Sequence, residues 1–253
     1  NANSLVGDGK ELDLIFQFDL MDMDGEGCKW NPLPFDLVKC KELIEKWQKA
    51  IDWNTVFWGN HDQPRIVSRF GCTDTEELRV RSAKCLATAM YLLRGTPFIY
   101  QGEELGYWGT KANGDEYVRA PMKWTRDGEV AAASLGGKVD AGMLTPSISV
   151  EAQAGDKNSI LSVYRSFGKA RAAYKALSRG TMRPVAFSNA GLAIWEREYD
   201  GQKVLVVHNF TASQISYATQ QYSFNNCIAS CGTVTARDGK LVISGLSSAI
   251  YLQ

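Results

Sequence analysis

Two histidines in 253 residues, and six cysteines without a Cys-x-x-Cys pair, leave little from which to build a metal finger or a thiol redox motif. No run approaches the roughly 18–20 consecutive apolar residues that a bilayer-crossing helix needs, so no membrane span is expected. Charge of one sign is missing too, because 28 Lys+Arg balance 28 Asp+Glu. That balance gives no electrostatic reason to expect nucleic acid or an anionic membrane surface as partner. The chain shows no repeat or low-complexity run, and its fractions, 45% hydrophobic and 22% charged, argue against disorder. It opens Asn1-Ala2-Asn3-Ser4, without Met or a charged-then-apolar leader. Either processing removed an upstream segment or the chain is a piece of something longer.

What is present alternates in period. Leu12, Leu14, Phe16, Phe18 and Leu20 occupy alternate positions and predict a strand with one apolar face. Asp36 then caps a helix whose stripe is Leu37, Cys40, Ile44, Trp47 and Ile51. Thr55-Val56-Phe57-Trp58 predicts a second strand. Asp74-Thr75-Glu76-Glu77 predicts a capping box with Asp74 at the N-cap, opening a helix that Gly95 stops. Pro97-Phe98-Ile99-Tyr100 predicts a third strand, apolar on both faces, and a third helix is expected from about Ser159 to Ser178. Strand and helix in alternation predict parallel βα units. Three such units cannot close a barrel, so this is a partial architecture with open sheet edges.

Beyond Arg183-Pro184 the texture becomes short and β-branched. Segments 191–197, 203–209, 214–219, 233–236 and 241–252 predict strands, with Asp200-Gly201 as a hairpin turn. The expected organisation is an α/β part over residues 1–180, followed by a small antiparallel β-sandwich over 181–253. Cys40 and Cys85 fall on helix stripes and are expected as buried small hydrophobes, while Cys227 and Cys231 are close enough to pair if the protein is exported.

In parallel βα architectures chemistry collects at the carboxyl ends of strands. Two of the predicted strands end in polar, charged residues: Asn60-His61-Asp62 and Gln101-Gly102-Glu103-Glu104. The first holds one of the two histidines beside a carboxylate. A capping turn explains a His-Asp pair equally well on spacing alone.

The longer context is more specific. Phe57-Trp58-Gly59-Asn60-His61-Asp62-Gln63-Pro64-Arg65 resembles the Asn-His-Asp signature of the α-amylase family of glycoside hydrolases, at its seventh barrel strand. Gly95-Thr96-Pro97-Phe98-Ile99-Tyr100-Gln101-Gly102-Glu103-Glu104-Leu105-Gly106 resembles the eighth strand and its loop. Arg119-Ala120-Pro121-Met122-Lys123-Trp124 resembles the Arg-x-Pro-Met-x-Trp motif of the α-glucosidase and amylase branches. The resemblance implies the C-terminal portion of a TIM (β/α)8 barrel followed by the β-sandwich. It also implies a retaining mechanism on α-glucosidic bonds, with two carboxyl groups about 5 to 5.5 Å apart.

By the same resemblance Asp62 is the third carboxylate, which grips the hydroxyls of the sugar being cleaved and assists as positive charge develops on its ring. His61 donates a hydrogen bond to that sugar, Arg119 fixes its non-reducing side, and Arg65 is expected in the same pocket. The family's nucleophilic Asp and acid/base Glu precede the stretch present here, so the chain alone is expected to be inactive. It is expected to pair its open sheet edges with the missing N-terminal half of the barrel, with another copy, or in a crystal. No cofactor is implied for this stretch, calcium being an option only in the missing part of the parent.

The implied substrate is an α-glucan or maltooligosaccharide. Only residues 105–118 separate the Glu103-Glu104 loop from Arg119, and so short a connection favours an open, endo-acting amylase cleft over an exo-acting α-glucosidase or oligo-1,6-glucosidase pocket. A non-catalytic carbohydrate-binding or scaffold role is the alternative from another class. The starch-type substrate favours a secreted or cell-surface location over a cytoplasmic one. Asp22-x-Asp24-Gly25-Glu26 is incomplete as a calcium loop and is expected to be solvated. Glu103 and Glu104 are expected to shape their loop, and His208 to be structural. Trp108 and Trp124 fit sugar stacking and core packing equally.

Overall fold

The computed structural model describes residues 4–7, 11–25, 33–112, 114–127 and 145–253. Glu26 and Cys28 lie outside the described residues.

The first half is built from helices around a short parallel pair of strands. α1 (Asp19–Asp22) and α2 (Leu37–Ala50) precede β1 (Thr55–Val56), α3 (Ile66–Phe70) and α4 (Glu76–Tyr91), and β2 (Thr96–Pro97) follows. β1 and β2 pair in parallel with Thr55 opposite Thr96 and Val56 opposite Pro97, and Phe98 N extends the ladder to Val56 O at 2.9 Å. α2 starts where expected, because the Asp36 carboxylate accepts from the amides of Val38 and Lys39. α4 starts one residue later than expected. Thr75, not Asp74, is the N-cap, its hydroxyl accepting from Leu78 N. α4 also ends at Tyr91, before Gly95. Gly95 serves the strand instead: its φ is +130°, and a Cβ there would lie 2.2 Å from the Asn54 carbonyl oxygen.

Of the three expected strands, 12–20 is not formed, and 55–58 and 97–100 reduce to Thr55–Val56 and Thr96–Pro97. The 12–20 segment forms no strand: residues 14–18 join no ladder, Phe18 already has a helical φ of −107° and ψ of −1°, and α1 follows. Its one described tie to β1 is Thr55 Oγ1 donating to Ile15 O at 2.7 Å. Phe16 and Phe18 remain 48% exposed, touching the rings of Phe57 and Phe98 at the edge. The expectation that strand 97–100 is covered on both faces also fails in this chain, where Phe98 and Ile99 are 38% and 40% exposed. The Phe16 ring, itself half-exposed, meets Phe98 edge-on at 4.8 Å between centroids.

After α5 (Val150–Ala154), the third long helix is broken. α6 (Ile160–Ala173) and α7 (Lys175–Arg179) meet at Tyr174, whose φ of −110° and ψ of 103° are extended. From Thr181 the chain forms two antiparallel sheets. The strands are β3 (Thr181–Pro184), β4 (Leu192–Tyr199), β5 (Gln202–Asn209), β6 (Ile215–Ala218), β7 (Cys227–Cys231), β8 (Val234–Arg237), β9 (Lys240–Ile243) and β10 (Ser247–Leu252). One sheet has the order β3-β4-β5-β10-β7 and the other β6-β9-β8. The 241–252 segment is therefore two strands in different sheets, turning at Leu246 with φ +52°. β3 and β7 carry no strong alternation and escape a sequence reading.

The five-stranded sheet is the middle layer. Leu192, Ile194, Leu205, Val207, Ala249 and Tyr251 meet Leu241 and Ile243 of the smaller sheet. The alternate residues Ala193, Trp195, Val204, Val206 and Ile250 join the helix-side core with Leu86, Met90 and Phe167. Coverage of both faces explains why Val204-Leu205-Val206-Val207 is continuously apolar.

Buried cations stitch the seam between the helices and this sheet. Lys41 Nζ reaches the carbonyls of Ala186, Asn189 and Leu192 at 3.2, 2.5 and 2.9 Å. Arg197, fully buried on β4, donates to the carbonyls of Leu92, Gly180 and Thr181. Cys40 and Cys85 are buried thiols, as expected. Cys227 and Cys231 are both free, since they lie four residues apart along one extended strand.

Candidate active site

The segment after β1 turns sharply because the Asn60 side chain accepts from the amide of Asp62 at 2.8 Å, an Asx turn, and the Gln63 amide returns to Asn60 O at 3.2 Å. Asn60 thereby shapes the turn that presents His61 and Asp62. Both side chains stand in solvent, 63% and 47% exposed, with His61 Nε2 at 3.4 Å from Asp62 Oδ2.

Arg119 arrives from a different part of the chain. Its Nε donates to the His61 carbonyl at 3.0 Å, and its Nη2 reaches Asp62 Oδ1 at 3.0 Å and Asp115 Oδ2 at 2.6 Å. His61, Asp62 and Arg119 thus converge, as the motifs require.

Two further residues join them. Asp115 bridges Arg119 and Lys111, and Lys111 Nζ also donates to the Asp62 carbonyl at 3.1 Å. The hydrogen bond from Lys111, helped by the charges of Lys111, Arg119 and His61, holds the Asp115 carboxyl below its ordinary value. A signal was available in the sequence: Lys111, Asp115 and Arg119 alternate in sign at intervals of four. The Asp115–Tyr117 3-10 turn and its flanks bring that spacing onto one side.

Arg65 does not belong to this group, which corrects its placement as a sugar contact. It is 1% exposed, with its guanidinium stacked over Tyr100 and Tyr107 and donating to the Gln101 carbonyl. A side chain so enclosed reaches no solvent-borne sugar. Glu104 shapes its loop by accepting from Gly102 N at 2.9 Å. Glu103 lies buried under Gly59, and desolvation pushes its carboxyl up to about 8, with the Arg65 charge pulling back.

Asp24 is not solvated. It is 3% exposed and paired with Arg69 through both carboxylate oxygens, which commits those oxygens to a cation already in the chain. Trp108 packs under the Arg79 guanidinium at 4.6 Å, whereas Trp124 is 66% exposed. His208 is structural: its Nδ1 is 2.8 Å from Ser248 Oγ, and burial lowers it to about 3.

A carboxylate–arginine pair at the carboxyl rim of parallel βα units is the site layout of a barrel enzyme. Comparison with known proteins agrees. Residues 4–180 match the α-amylase catalytic domain and residues 192–250 the α-amylase SusG C-terminal domain. The chain is 32% identical over 244 residues to an oligo-1,6-glucosidase of Bacillus cereus, covering 81% of this chain and 43% of that protein. It is also 32% identical over 255 residues to a trehalose-6-phosphate hydrolase of Bacillus subtilis, covering 83% and 44%. The solved trehalulose synthase MutB of Pseudomonas mesoacidophila MX-45 superposes with a TM-score of 0.82 at 30% identity, over 96% of this chain and 51% of that one. The chain belongs to the α-amylase family of glycoside hydrolases. Its βα units are the C-terminal portion of a TIM barrel, followed by the antiparallel sheets. It spans about half the length of the relatives it matches.

Proposed function

We propose that the complete protein is a retaining α-glucosidase that takes the terminal glucosyl unit of short α-glucosides, and that this chain supplies the group gripping that unit. The observation that carries the reading is the Arg119 guanidinium, which spans the Asp62 carboxylate, the His61 carbonyl and the Asp115 carboxylate. Asp62 is bound by Arg119 through Oδ1, has His61 beside Oδ2 and remains open to solvent, so it accepts sugar hydroxyls and steadies the ring as positive charge develops. Asp115 and Lys111 complete a wall on one side of Asp62, and such a wall suits a chain end better than a continuing glucan. Two carboxylates against Arg119 and Lys111 leave no net charge, as expected for a neutral sugar.

The relatives, an oligo-1,6-glucosidase and a trehalose-6-phosphate hydrolase, support a short substrate. The nucleophile and acid/base pair, about 5 to 5.5 Å apart in a retaining enzyme, is assigned to the part of the family's length that this chain does not span. An endo-acting amylase on starch-like glucans is the second reading, favoured by the short 105–118 connection. Digestion of a long α-glucan and of a short α-1,6-linked glucoside by the complete protein separates them. Glucose as the early product from the short substrate supports the proposal. A ladder of oligosaccharides from the long one supports the amylase, and cleavage of neither returns the scaffold role.

A further inference from the structure

Arg65 is excluded from the sugar by burial, yet its surroundings connect the two residues that face it. The guanidinium carbon lies 4.3 Å from the centroid of the Tyr100 ring and 5.4 Å from that of Tyr107, and the group donates to the Gln101 carbonyl. Each ring is tied by its hydroxyl to the segment that carries Arg119. Tyr100 donates to the Val118 carbonyl at 3.1 Å, and Tyr107 donates to the Pro121 carbonyl at 3.0 Å while accepting from Lys123 N at 2.7 Å. Val118 and Pro121 flank Arg119 in sequence, and Asp62 lies three residues before Arg65.

The backbone repeats the connection, with Arg65 N donating to the Gly109 carbonyl at 2.9 Å. Gly102, at φ +87°, lets Tyr107 close in, since a Cβ there would lie 2.5 Å from its ring. A cation between two aromatic faces is attracted to both, and a buried guanidinium has few ways to relax.

We propose that Arg65, Tyr100 and Tyr107 form a positioning bracket that sets the 3.0 Å contact between Asp62 and Arg119. These three touch no substrate. They act through the Asp62 turn at one end and the 118–121 segment at the other. Misplacing a gripping group by about 1 Å is enough to cost a large factor in rate. The inference rests on reading Asp62 and Arg119 as the sugar grip, and its test keeps the two claims apart.

Tyr100→Phe in the complete protein removes only the hydroxyl tie. Its crystal structure should show Arg119 Nη2 beyond about 3.5 Å from Asp62 Oδ1, outside hydrogen-bond range, with thermal stability close to wild type. Arg65→Met, which keeps bulk between the rings, should displace Arg119 in the same way. In kinetics with a chromogenic α-glucoside, Tyr100→Phe should lower kcat/KM about tenfold, and that loss should vanish in an Arg119→Ala background, because coupled residues are non-additive. An unmoved Arg119, or equal losses in both backgrounds, overturns the bracket. A wild-type protein that cleaves no α-glucoside counts against the functional reading, and the position of Arg119 in Tyr100→Phe then decides the bracket alone.

Discussion

β5 of the antiparallel sheet and the Phe98-Ile99-Tyr100 segment that follows β2 are both apolar, yet the chain treats them oppositely. Val204, Leu205, Val206 and Val207 are each at most 1% exposed, whereas Phe98 and Ile99 are 38% and 40% exposed. Sequence character does not separate them; coverage does. β5 lies between helices on one face and a second sheet on the other, while the segment just past β2 has no such double cover. The saturated region holds its shape by burial. The open region carries the exposed charges of the candidate site and the buried polar groups beneath them.

That contrast makes predictions of graded size. Arg197→Met should have the largest effect. It leaves the carbonyls of Leu92, Gly180 and Thr181 without their donor at the seam joining the two regions, and should cost about 3–5 kcal/mol in urea unfolding. A cost under about 1 kcal/mol would show that the seam is apolar in origin.

Ile250→Ala and Ile99→Ala make the same chemical change in each region. The first, at 0% exposure, should cost about 2–4 kcal/mol. The second, at 40% exposure, should cost less than about 1 kcal/mol. Equal costs would end the coverage argument.

Glu103 gives a smaller effect that depends on pH. Its folded value of about 8 lies above the ordinary 4.5, so the protonated group's contribution is fully present below about 4.5 and lost as pH rises through 8. Glu103→Gln should therefore be more stable than wild type at pH 9, by about 2 kcal/mol, with the advantage shrinking towards pH 5. Parallel stability–pH curves for the two proteins would contradict the assignment.

Much of this was legible in the sequence for identifiable reasons. Asp36 announced α2, and Asp200-Gly201 announced the β4–β5 hairpin, because caps and tight turns are local decisions. The 12–20 segment misled because alternation specifies a strand only when a neighbour supplies the ladder; here residues 14–18 join none. The helix break at Tyr174 lay in an unbroken apolar stripe, which periodicity cannot divide.

In the candidate site, motif order pointed to His61, Asp62 and Arg119, and the three lie in contact. Proximity to Asp62 in sequence misplaced Arg65, since a residue three positions on can face the opposite side of a turn. Asp115 was missed although its charge alternation with Lys111 and Arg119 stood in the open, because nothing local says that a loop folds back on a strand end.

The central claim is that Asp62 acts on a sugar and does little for the fold. The most direct test is Asp62→Asn in the complete protein, with hydrolysis of a short α-glucoside and urea unfolding measured on one preparation. With the side chain 47% exposed, kcat should fall at least about 100-fold while stability changes by less than about 0.5 kcal/mol. Near wild-type turnover in that variant would contradict the account.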